Sequence, residues 1–163
     1  MRIIKLVLIS ALLLSILVTM ISLLFPSTVM VSRAIEIKTS PDKIAYYTAH
    51  LNHWNLWMSD WKQNEVKLQH DTAYIGTQII HLESQTDTSV TYHWVATGQA
   101  PYQVKIEWFA LEKGNYVIHW TFEQKVKWYP WEKFQTLLNE KLLGSKMEME
   151  LQNLQTAINQ SLF

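Results

Sequence analysis

Three spacings of apolar residues succeed one another along this chain. The first is unbroken: Leu6 to Phe25 reads LVLISALLLSILVTMISLLF, twenty residues without a charge. At about 1.5 Å of rise per residue, such a helix reaches roughly 30 Å, the thickness of a bilayer's hydrocarbon core. The second is alternation. Val29, Val31, Ile35 and Ile37 share one phase of an alternation that Arg33 breaks, and predict a strand over 28–38. The third is helical. Ser40-Pro41-Asp42 offers a cap, a first-turn proline and an acid at the positive helix end, so a helix is expected over 41–51. Ile44, Tyr47 and Leu51 form its apolar stripe.

From residue 65 the period returns to two. Val66 and Leu68 suggest a short strand, and residues 74–83 and 88–98 two longer ones. Residues 102–112 and 115–126 give two more, joined at Lys113-Gly114 in a tight hairpin. Trp128-Tyr129-Pro130 breaks the last strand, and a final helix is predicted from Trp131 to Leu162. Its apolar positions are Trp131, Phe134, Leu138, Leu142, Met147, Leu151, Leu154 and Ile158, stepping around Gly144. Grouped strands with helices set apart argue for an α+β fold.

The uncharged run divides the chain into an N-terminal anchor, 1–25, and one domain, 26–163. A cleaved signal peptide is the rival to an uncleaved transmembrane helix. Its apolar region is usually about 7–15 residues long and precedes small residues at a cleavage site. The run here is longer, and FPSTVMVSR follows it with no such site. Arg2 and Lys5 lie before the span, which favours a single pass with the C-terminal domain outside the cytoplasm. The chain has no cysteine, so disulfides, thiolate metal sites and thiol nucleophiles are excluded. Without Arg2 and Lys5 the domain has 12 basic and 14 acidic residues and no basic run, so nothing marks it for nucleic acid.

The compositional outlier is eight tryptophans, all within the domain. Three of them, Trp54, Trp57 and Trp61, fall in NHWNLWMSDW with spacings that one helical face would share. Together with this segment, VSRAIEI at 31–37, SPDKI at 40–44, LNHWNLW at 51–57, HWTFE at 119–123 and LGSKMEMELQNLQ at 143–155 occur in a familiar order. With the anchor and Pro26, they resemble the polyketide cyclase/dehydrase-like branch of the START-related (SRPBCC) superfamily, in its membrane-anchored bacterial type. Two positions depart from the family pattern: a glycine-rich stretch near 72–77 is reduced to Gly76, and Glu150 stands where glycine is common. The resemblance implies a helix-grip fold, a curved antiparallel sheet wrapped around a long C-terminal helix. It also implies an enclosed cavity that often holds an apolar ligand, and location at a bacterial inner membrane.

Strand alternation then nominates the lining. Val90, Tyr92, Trp94 and Ala96 share one face, as do Val104, Ile106, Trp108 and Ala110, and Tyr116, Ile118, Trp120 and Phe122. Six of these, Tyr92, Trp94, Trp108, Tyr116, Trp120 and Phe122, are the expected ligand-cavity residues. The alternative is a core that such large rings simply fill. In the resembled fold the tryptophan cluster lies near the cavity mouth, with Trp54 and Trp57 as a lid packed on the sheet edge and Trp61 turning the chain, and a structural role is favoured there over ligand contact.

No metal site is expected. His50 and His53 have a zinc-like spacing but no carboxylate within four residues. No cofactor motif and no common catalytic motif occurs, and no catalytic residue is assigned. Asp60, His81 and Glu83 are the nearest acid–base candidates, because the inward strand sets contain none, and His93 and His119 fall on the outward phase. The sequence thus favours a membrane-anchored domain, held by residues 6–25, that binds a hydrophobic or amphipathic small molecule. The alternatives are an enzyme of cyclase, aromatase or hydrolase type and an interaction domain with a filled core.

Overall fold

The computed structural model describes residues 2–24, 27–98, 100–127 and 129–161, with the side chains of 132 and 134–140 outside that description. Phe25, Pro26, Trp128, Leu162 and the side chains of Phe134 and Leu138, which carried expectations above, lie outside the described residues. The uncharged run forms α1 (Arg2–Leu23), mostly exposed and long and apolar enough to span a membrane. Near its end Ser22 is buried, and its carbonyl accepts a hydrogen bond from Lys133 Nζ at 3.0 Å. An ammonium suits that position, since the last carbonyls of a helix lack backbone donors and carry partial negative charge.

Seven antiparallel strands follow: β1 (Thr28–Lys38), β2 (Val66–Gln69), β3 (Thr72–Ile75), β4 (Gln78–Gln85), β5 (Ser89–Ala96), β6 (Tyr102–Glu112) and β7 (Asn115–Lys125). Their order across the sheet is β1-β7-β6-β5-β4-β3-β2. The sheet is curved, and register shifts at Leu82/Ser84 and Ala110/Glu112 bend it locally. Between β1 and β2 come α2 (Pro41–Thr48), a 3-10 turn (Leu51–Leu56) and α3 (Ser59–Gln63). The long terminal helix α4 (Pro130–Gln160) packs against β1 and α2. The result is the α+β helix-grip arrangement that the residue pattern and the resemblance led one to expect.

The capping expectation holds in detail. Ser40 accepts a hydrogen bond from the Lys43 amide at 3.4 Å, and Pro41 opens α2. Two expectations are corrected: the helix expected over 41–51 ends at Thr48, so Leu51 opens the 3-10 turn instead, and the long strand expected over 74–83 is broken. Residues 74–83 form no single strand: β3 ends at Ile75 and β4 begins at Gln78. Gly76, at φ +55°, makes the tight turn between them, a conformation that glycine adopts without steric cost.

Arg33, which interrupts the alternation of β1, also finds its reason. It leans onto α4, where its Nε donates to Glu148 Oε1 at 2.5 Å. Gly144 makes room, because a Cβ there would overlap the guanidinium. The core runs between the inner face of the sheet and the covering helices, and α4 contributes Met147, Leu151, Leu154 and Ile158 to it.

Candidate functional site

The interior has a closed end and an open one. The closed end is built on α2, whose last carbonyls have no partners of their own helix. Aromatic donors supply them: Trp57 Nε1 reaches Tyr47 O at 2.9 Å, and Trp54 Nε1 reaches Thr48 O at 3.0 Å. The Tyr92 hydroxyl donates to the same Thr48 carbonyl at 2.6 Å from across the sheet. Trp54 meets Trp57, Trp61 and Tyr92 with ring centroids 5.4, 5.1 and 4.9 Å apart. Trp54, Trp57 and Tyr92 are wholly buried, and Trp61 nearly so. Desolvation raises the phenol pKa of Tyr92 well beyond its ordinary range, so the ring stays neutral.

At the open end, α3 and α4 stand off the sheet and leave a recess of about 150 Å³. Its apolar wall consists of Trp94, Tyr102, Trp120 and Phe122 from the strands, with Leu143 and Met147 from α4. The rings form a cluster around Phe122, whose centroid lies 5.6 Å from Trp94, 5.9 Å from Tyr102 and 5.4 Å from Trp120. Trp94 Nε1 is held by Gln78 Oε1 at 3.2 Å, whereas Trp120 Nε1 has no acceptor among the described residues. Burial raises the Tyr102 phenol pKa as well.

Three charged side chains complete the lining: Asp60, Lys146 and Glu150. Lys146 Nζ and Asp60 Oδ2 pair at 2.5 Å and remain partly exposed. Glu150 is wholly buried. Its oxygens accept from the Ser59 amide at 3.1 and 3.0 Å and from Asn153 Nδ2 at 3.0 Å. The carboxylate therefore joins α4 to the first residue of α3.

The structure gathers Trp94, Trp120 and Phe122 of the expected cavity residues into one recess. Tyr92 and Trp108 sit elsewhere in the core, and Tyr116 is half-buried at the hairpin end of β7. Trp54 and Trp57 are packed within the core behind the recess wall, Trp54 meeting Trp94 at 6.4 Å and Trp57 meeting Trp120 at 5.6 Å, while their indole donors are drawn to the α2 carbonyls. Of the acid–base candidates, Asp60 lines the recess. His81 is exposed and bonded to Thr72 Oγ1 at 2.9 Å, and Glu83 accepts from Gln103 at 3.1 Å. His53 stacks on Tyr46 and contacts its carbonyl at 2.7 Å, His50 and His93 are exposed, and His119 meets Ser32 Oγ at 2.5 Å.

Strand alternation missed Glu150, because that residue lies on α4. A signal was nonetheless present: Glu150 stands three residues after Met147 and four before Leu154, on the buried stripe of the helix. A carboxylate at a core position calls for either a structural partner or a ligand. Tyr102 was also overlooked, although it shares the inward phase of Val104 and Ile106.

No family model matches the chain, and no curated protein matches it. Solved structures do. A START superfamily protein from Mycobacterium smegmatis superposes with a TM-score of 0.60 at 14% identity, covering 80% of this chain and 97% of that one. The protein XoxI from Bacillus cereus gives 0.60 at 18% identity, covering 80% and 96%. CalU16 from Micromonospora echinospora gives 0.56 at 14%, covering 83% and 88%. The chain thus has the START-like (SRPBCC) fold. At these identities the likeness establishes the fold alone.

Proposed function

We propose that this chain is a membrane-anchored binding domain for a small hydrophobic or amphipathic group. The recess between the sheet and α4 carries the proposal, since aromatic rings form its wall and a few polar groups stand at defined places. Its 150 Å³ is well short of a whole lipid. Cavities of about that volume accept a molecule the size of benzene, so the bound part is a headgroup, a ring or a short branched chain. The START-like fold is compatible with such a role, and α1 would keep the recess close to a membrane. Binding would rest on apolar burial, at about 25 cal/mol per Å², less the cost of ordering the ligand.

Mass spectrometry of the full chain, first native from nanodiscs and then after organic extraction, tests the proposal. A co-purifying small amphiphile in near-stoichiometric amount is the expected result. A chain that is empty and also takes up no added small aromatic compound would favour the filled-core alternative.

Glu150 gives the enzymatic alternative its specific observation, a wholly buried carboxylate lining the recess, since the other carboxylate there, Asp60, is paired with Lys146. The Ser59 and Asn153 donors hold it as a fixed acceptor, an arrangement better suited to binding than to shuttling a proton.

A further inference from the structure

Glu150 occupies an unusual position for a charge. Its side chain is wholly buried, and among the described residues every hydrogen-bond partner it has is uncharged. Neutral donors offset only part of the cost of removing a carboxylate from water. The cation nearest in sequence on the same helix face, Lys146, is already committed to Asp60 at 2.5 Å. Two carboxylates and one ammonium leave the recess with a formal charge of −1.

The other side of the recess is aromatic. Trp94, Tyr102, Trp120 and Phe122 bring four π systems to one small volume. Ring faces attract cations, most strongly for tryptophan, and the attraction grows when the cation is desolvated. An apolar molecule would use these rings but leave the buried charge unanswered. An anion would be repelled by it. A hydrated metal ion would gain nothing from the rings. A cation whose charge is covered by methyl groups satisfies both sides, and 150 Å³ suits its size.

Resting on the binding function proposed above, we infer that the recess selects an alkylated ammonium group, held by the aromatic wall and the Glu150 carboxylate. The same chemistry is presented by a free quaternary amine and by a choline lipid headgroup.

The test compares choline with its uncharged carbon isostere, 3,3-dimethylbutan-1-ol, on the full chain in nanodiscs free of choline lipids. Titration calorimetry should show choline binding roughly tenfold or more tightly than the isostere. Glu150→Gln should abolish most of that preference. Because this residue also ties α3 to α4, Trp94→Leu is the second variant, and it should weaken choline more than the isostere. A repeat in phosphatidylcholine nanodiscs separates the two sources. Competition that lowers the apparent choline affinity assigns the site to a lipid headgroup, and unchanged affinity assigns it to a free amine. Equal binding of choline and isostere would overturn the cation selectivity while leaving an apolar recess in place. Binding of neither, with an empty chain by mass spectrometry, would overturn both the selectivity and the binding function.

Discussion

The two ends of the interior use the same kind of side chain to opposite effect. At the closed end, Trp54, Trp57 and Tyr92 direct their polar atoms at the terminal carbonyls of α2, and their rings fill the space beneath. At the open end, Trp94, Tyr102, Trp120 and Phe122 border a space that no side chain among the described residues fills. Large aromatic residues therefore do not by themselves signal either a packed core or a pocket. What decides is whether the opposing elements supply atoms for their faces, since Trp61 and Trp108 are buried without an acceptor among the described residues while Trp94 at the recess has one. α2 supplies acceptors to Trp54, Trp57 and Tyr92, whereas α3 and α4 line the recess with a buried carboxylate and an ion pair.

The sharpest way to break this contrast is to truncate one ring at each end. Trp57→Ala should cost about 3–5 kcal/mol, since it opens a cavity and orphans the Tyr47 carbonyl. Trp94→Ala should cost roughly half as much, because its ring already borders empty space and forfeits fewer contacts. Chemical denaturation of the full chain in nanodiscs gives both values. Equal losses would mean that the recess is closed in solution.

Tyr92→Phe probes the polar side of the closed end. At pH 8 the loss of its bond to Thr48 O should cost about 1 kcal/mol. At higher pH the sign of the linkage matters. Burial raises the folded-state pKa above the ordinary 10.0, so the tyrosine contribution is complete below about pH 10. As the pH rises beyond it, the unfolded chain releases a proton that the folded chain retains, and stability falls. Denaturation midpoints at pH 8 and pH 11 should therefore diverge less in Tyr92→Phe than in the parent chain. The same slope in both would remove Tyr92 as the cause.

The smallest expected effect is at Gly144. Alanine there gains about 1 kcal/mol in helix propensity and displaces Arg33 from Glu148, a partly exposed pair worth about 0–1 kcal/mol. The net change should lie close to zero. A large loss would show that Arg33 holds α4 against β1 more firmly than its exposure implies.

Much of the fold was legible because half-buried strands and amphipathic helices carry their periods openly. β1 and β6 lie at 28–38 and 102–112 as the alternation of Val31, Ile35, Val104 and Ile106 required. The turn at Gly76 was not legible, since the apolar pattern continues through it from Tyr74 to Ile80. For the site, alternation found Trp94, Trp120 and Phe122 but could not separate them from Tyr92 and Trp108, which face the same side of the sheet. That separation depends on where α2, α3 and α4 come to rest, and these are long-range contacts. Glu150 and Asp60 reached the recess from two different helices for the same reason.

The most direct measurement is a two-dimensional NMR spectrum of the indole N–H groups in the full chain, recorded while a small aromatic such as benzyl alcohol is added. Trp94 and Trp120 should shift most, with a saturable dependence on concentration, while Trp54 and Trp57, tied to their carbonyl partners, shift less. Equal movement of all four, or of none, would contradict an interior closed at one end and open to a ligand at the other.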